Sequence, residues 1–125
     1  MSEVPSSVHP LAKNFLGKEM YVVVVRPVRS PEIAKRVGEH LEHQVALEKK
    51  GVLFAAGPLY PAGSAEPEAG MIVLRANSFE EAEAIVRSDP LVKAGLRTFT
   101  IQKWRMNEGS YTVTINYSDQ TVRIA

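Results

Sequence analysis

His40, near the middle of an amphipathic stretch, is the residue whose surroundings could carry chemistry. An imidazole changes charge near neutral pH and can take or give a proton. Five further residues are candidates beside it. Asp89 precedes Pro90, and a carboxylate beside an imidazole fixes its tautomer and favours its charged form. Gly57-Pro58 ends a short apolar run and could let backbone approach a ligand. Arg26 and Tyr60 stand near strand ends and are candidate substrate contacts. Each has a plainer reading: a half-buried histidine, a turn aspartate, a strand terminator, a solvated arginine and a packed tyrosine. No local signal brings His40 and Asp89 together. Tyr21 and Trp104 read as core or interface residues.

The elements that must position these residues follow from periodicity. Met20–Val25 is a β-branched run that stops at Arg26-Pro27, a strand. Ser30-Pro31-Glu32 supplies a capping serine, a proline at the first helical position and an acid in the first turn. Ile33, Val37, Leu41 and Val45 follow at steps of four as one apolar stripe, and Lys49-Lys50-Gly51 closes the helix. His40 borders that stripe, while His43 lies about 80° from Ile33 and reads as solvated. Val52–Ala56 is a second strand, Pro58–Ala69 a loop, and Gly70–Ala76 a third strand. Ser78-Phe79-Glu80-Glu81 has the form of a capping box, with Glu81 expected to reach back to the Ser78 amide. The helix it opens must end near Ser88, because the residue before Pro90 is pushed out of helical space. Leu91–Leu96 is a short connection with room for one helical turn. Arg97–Arg105 is a fourth strand, and Tyr111–Tyr117 with Thr121–Ile124 a terminal hairpin around Ser118-Asp119-Gln120.

The order β-α-β-β-α-β predicts an α+β, ferredoxin-like antiparallel sheet with both helices on one face. The expected divisions are a loose tail over 1–19, the ferredoxin-like domain over 20–106 and a hairpin extension over 107–125. Three strands are apolar on both faces, yet there are helices for only one. A second copy, sheet against sheet, is the expected cover, giving a homodimer of the α+β-barrel type. The terminal hairpin could pair across subunits or build a larger ring.

Composition limits the partners. Fifteen Lys plus Arg against fourteen Asp plus Glu leave a net charge of +1 over 125 residues, which is not the footprint of a nucleic-acid binder. The chain has no cysteine, so disulfides and thiolate chemistry are excluded. No apolar run approaches the roughly 20 residues that span a bilayer, and residues 1–19 have no apolar block like a signal peptide's. A soluble, cytoplasmic protein is expected. There is no glycine-rich phosphate loop and no Gly-x-Ser-x-Gly elbow, and no cofactor is assigned. His40 and His43, at a spacing of three, could hold a metal with Glu39, Glu42 or Asp89. Zinc sites usually need more histidine or cysteine, and no metal is assigned.

Taken as a set, several segments resemble the YCII-related (YciI-like) family. They are the Tyr21–Val25 strand, His40-Leu41 in the first helix, and Gly51-Val52-Leu53-Phe54-Ala55-Ala56-Gly57-Pro58. Ser78-Phe79-Glu80-Glu81-Ala82 and Ser88-Asp89-Pro90-Leu91-Val92-Lys93-Ala94-Gly95-Leu96 complete it. The resemblance covers about residues 20–104 and implies a dimeric α+β barrel with a histidine-aspartate pair in a pocket, His40 and Asp89 by position. An enzyme resembling this family removes chloride from a chlorinated hydroxyquinol. A cofactor-independent lyase or isomerase acting on a small oxygenated ring is therefore expected, by proton transfer or elimination. The alternative is a non-catalytic, small-molecule-binding or accessory dimer.

Overall fold

A computed structural model describes residues 9–125. The expected tail over 1–19 therefore lies partly outside the described residues. The chain divides into two compact units. Lys18–Arg105 forms one, and the residues up to Gly17 together with Met106–Ala125 form the other.

In the larger unit, β1 (Lys18–Pro27), α1 (Glu32–Lys49), β2 (Leu53–Leu59), β3 (Ala69–Leu74), α2 (Phe79–Arg87), α3 (Pro90–Lys93) and β4 (Arg97–Met106) follow in order. The sheet order is β2-β3-β1-β4, with β3 antiparallel to both β1 and β2. This is the α+β, ferredoxin-like arrangement. The α2 residues Ala82 and Val86 join Tyr21, Val23, Val25, Ile72 and Leu74 in one core cluster. Tyr21 pairs with Leu74 and Val23 with Ile72, so these side chains share the helix-covered face.

Local chemistry sets the element ends. The Ser30 hydroxyl accepts from the Glu32 amide at 3.1 Å, opening α1 behind Pro31. Gly51, with φ of +77°, takes the left-handed turn after α1. The Ser78 hydroxyl accepts from the Glu81 amide at 3.1 Å. Glu81 returns to the Asn77 amide, at 3.3 Å, and not to Ser78 as expected.

Two expectations are corrected in ways that shape the site. Along α1, Leu41 and Val45 are about half exposed, and the buried residue is His40. Steps of four advance 400°, so the apolar series drifts about 40° per step around the helix. By Leu41 and Val45 it has left the face that Ile33 begins. The inward face runs through Val37, His40, Gln44 and Leu47. In β2, strict alternation fails at a bulge: Leu53 pairs with Leu74, but Ala55, not Phe54, pairs with Val73. The extra residue shifts the pattern by one, so Leu53, Ala56 and Pro58 share the helix side. The strand also runs on through Gly57-Pro58 to Leu59, instead of stopping at Ala56. Proline is tolerated there because β2 is an edge strand whose outward amides have no ladder partner.

The sheet's second face is partly closed already. Met20, Val73 and Ala69 are buried, whereas Val22 and Val24 are half-buried and Met71 and Trp104 stay open. Among the described residues, no helix is long and apolar enough to cross a membrane.

The smaller unit holds a 3-10 turn over Pro10–Asn14, where sequence periodicity gives no element, and a hairpin of β5 (Val113–Asn116) and β6 (Thr121–Ile124). The Leu16 amide donates to the Asn107 carbonyl at 3.1 Å, joining its two segments. The hairpin turn is tied by Asp119, whose carboxylate accepts from the Thr121 amide and hydroxyl. Those bonds hold its pKa below the ordinary value.

The rotated α1 face gives a direct expectation. Leu74→Ala, at a fully buried position, costs about 2–5 kcal/mol of unfolding free energy. Leu41→Ala, on the sequence's apolar stripe but 55% exposed, costs less than about 1 kcal/mol. Urea denaturation of both variants reads the difference.

Candidate functional site

The site is built where α1, α3 and the start of β4 converge. Pro90 forces Asp89 into extended backbone, φ −66° and ψ 131°, so α2 stops at Arg87 and α3 starts anew. In that conformation Asp89 caps α3, its Oδ1 accepting from the Leu91 amide at 2.8 Å. Its other oxygen, Oδ2, lies 2.5 Å from His40 Nδ1. The turn aspartate and the histidine's partner are thus one residue in two roles. Both side chains are buried, with His40 at 8% and Asp89 at 5% exposure.

Burial works against the Asp89 charge. The His40 hydrogen bond, the Leu91 amide and the charges of His40 and His43 outweigh it, and the carboxyl is held below its ordinary value. An ionised Asp89 can only accept, so Nδ1 of His40 donates to it.

On the far side of the ring, Arg97 Nη1 stands 3.4 Å from His40 Nε2. A guanidinium has donors only, so Nε2 offers its lone pair. In a neutral ring the two contacts favour the tautomer with its proton on Nδ1, the form that serves as a general base. Arg97 is placed by the end of α3. Gly95, with φ of +73°, turns the chain, and the Leu96 carbonyl accepts from the Val28 amide at 2.8 Å. Burial lowers the Arg97 pKa, and the Asp89 charge opposes that.

His43 is not the solvated residue its helix angle suggests. It is half-buried, with Nε2 3.1 Å from Ser88 Oγ. The Ser88 hydroxyl donates its one proton to the Ile85 carbonyl, so His43 Nε2 is the donor to Ser88. His40 and His43, weighed as metal ligands, therefore point to different partners. Among the described residues, no group of three or more His, Cys, Asp or Glu side chains could hold a metal ion.

His40 and Arg97 open onto a cleft of about 690 Å³ between α1 and the β2–β3 edge. That volume suits a small molecule. Gly57 and Pro58 line it. Leu41 and Val45, displaced from the core, form its helical wall. Arg26 and Tyr60 are exposed and are not among the lining residues. Sequence reasoning missed Arg97 and Ser88 and misplaced His43. All three act through partners more than forty positions away, and no local pattern marks them.

The uncharacterized protein YjpA of Bacillus subtilis (strain 168) is 29% identical over 90 residues, which are 71% of this chain and the whole of that protein. Among solved structures, 5-chloro-2-hydroxyhydroquinone dehydrochlorinase from Burkholderia phenoliruptrix AC1100, in complex with 2,5-dihydroxybenzoquinone, is similar with a TM-score of 0.52. The identity is 25%, over 68% of this chain and 93% of that one. The family model for the YCII-related domain matches residues 20–105. That span takes in His40, Asp89, Arg97 and the cleft that His40 and Arg97 line, and the chain belongs to the YCII-related family.

Proposed function

We propose that the protein is a cofactor-independent lyase or isomerase that moves a proton on a small oxygenated ring compound, with His40 as general base and Asp89 as its orienting partner. The observation that carries this reading is the buried contact between His40 Nδ1 and Asp89 Oδ2 beside an open cleft. The similarity to a dehydrochlorinase supports an elimination in particular. In such a step, His40 Nε2 takes a proton from the substrate. The electron pair left behind forms the new double bond, and the leaving group departs from the adjacent carbon as an anion. The imidazolium that results is stabilised by the ionised Asp89 at Nδ1. Gly57 and Pro58 shape the wall against which the ring lies.

The acting species in this reading is a homodimer. Half-buried Val22 and Val24, with exposed Met71 and Trp104, leave apolar surface on the sheet face away from the helices. Val24 and Met71 are register partners, so part of this surface is continuous.

Three outcomes follow. His40→Gln and Asp89→Asn each lower turnover of a chlorinated trihydroxybenzene by about 100-fold or more while leaving the circular-dichroism spectrum intact. Full activity in both variants would remove the pair from the chemistry. Because its folded-state pKa lies below the ordinary 3.8, Asp89 stabilises the fold above that value, and its contribution is lost as the pH falls through the lowered pKa. The melting temperature of the native chain therefore exceeds that of Asp89→Asn at pH 7, and the gap narrows on acidification. Sedimentation equilibrium gives twice the mass of one chain, and Trp104→Glu shifts it toward the single chain.

A further inference from the structure

The charge pattern of the cleft goes beyond a base and its partner. Asp89 has both oxygens engaged, one on His40 and one on the Leu91 amide. Arg97 stands on the other side of the imidazole, and among the described residues no carboxylate lies within ion-pair distance of it. Its Nε is buried and has no hydrogen-bond partner. Among the described residues its side chain makes one hydrogen bond, the long 3.4 Å contact to His40 Nε2. A half-buried cation with this much unused donor capacity is costly unless an anion meets it. Among the described residues, the rest of the wall gives no other Lys or Arg. It is built from apolar side chains such as Leu41, Val45 and Pro58, with Gln44 and Glu48 as its polar members on α1. Glu48, the acidic lining residue, lies eight positions along α1 from His40, about 12 Å of helical rise away. The cleft is therefore cationic at the His40 end and apolar along its length.

We propose that Arg97 is the specificity-determining residue of this cleft, and that it selects a planar ring compound carrying an ionised oxygen, bound with that oxyanion on the guanidinium. The fork of donors suits a carboxylate, phenolate or enolate oxygen, and an apolar body fills the remaining volume. Engaging the ligand draws Nη1 from His40, so the Nε2 lone pair becomes free when substrate is in place. This inference rests on reading the cleft as the substrate site. It adds that the substrate arrives as an anion and that Arg97 links its binding to release of the base.

The test uses the full chain and two ring probes of nearly equal shape, benzoate and its neutral counterpart benzamide, titrated at pH 7 by calorimetry and by nitrogen-15 NMR of the histidine rings. The native chain binds benzoate at least tenfold more tightly than benzamide, and benzoate shifts the His40 Nε2 resonance. Arg97→Gln abolishes the discrimination, and Arg97→Lys recovers part of it. Equal binding of the two probes overturns the proposal, as does unchanged benzoate affinity in Arg97→Gln. The two levels of the reading separate cleanly. Arg97-dependent benzoate binding in a protein whose turnover ignores His40 and Asp89 supports the anion site and sinks the catalytic reading. Turnover that needs His40 and Asp89, but treats Arg97→Gln as native on charged and neutral substrates alike, does the reverse.

Discussion

The larger unit depends on a charge held inside it. Asp89 is nearly inaccessible, and a buried carboxylate is tolerated only if every lone pair facing the protein is met. Two donors from different parts of the chain do this: the Leu91 amide two residues on, and the His40 ring forty-nine residues back. The second donor ties α1 to the junction of α2 and α3. A single short contact thus fixes how the first helix is rotated and which of its side chains look into the cleft.

That rotation explains what the sequence could and could not tell. The order of the strands, the serines that open the helices and the stop before Pro90 were legible because each depends on neighbours within a few residues. The ferredoxin-like order followed from those elements. The face of α1 was not legible, since an apolar series at steps of four names a stripe that drifts, and the polar His40 turned out to sit at its buried centre. The β2 bulge was hidden for a related reason. Val52-Leu53-Phe54-Ala55-Ala56 is apolar throughout, so no alternation marks where the register slips.

Asp89 shows how a local signal can be right and still incomplete. Its place in a turn was visible beside Pro90, and the extended backbone there lets one oxygen cap α3 and frees the other to face α1. Arg97 gave no such signal. An arginine at the first position of a strand looks like any solvated cation until the turn at Gly95 and the Val28–Leu96 hydrogen bond set it beside the imidazole. Arg26, equally placed at a strand end, drew attention and lies on open surface instead. What separates the two arginines is tertiary, since the sheet order puts the end of β1 and the start of β4 side by side while only one side chain turns inward.

The proline within β2 has an effect on the outside of the molecule as well. Beside Gly57 on the sheet's outer margin, Pro58 removes an amide from the row that a foreign strand would need to zip onto. The bulge at Phe54 bends the same margin a few residues earlier, with Arg75 stacked on its ring. Lateral growth by strand addition is thereby blocked along the rim that borders the cleft, and the mouth of the cleft stays open to solutes.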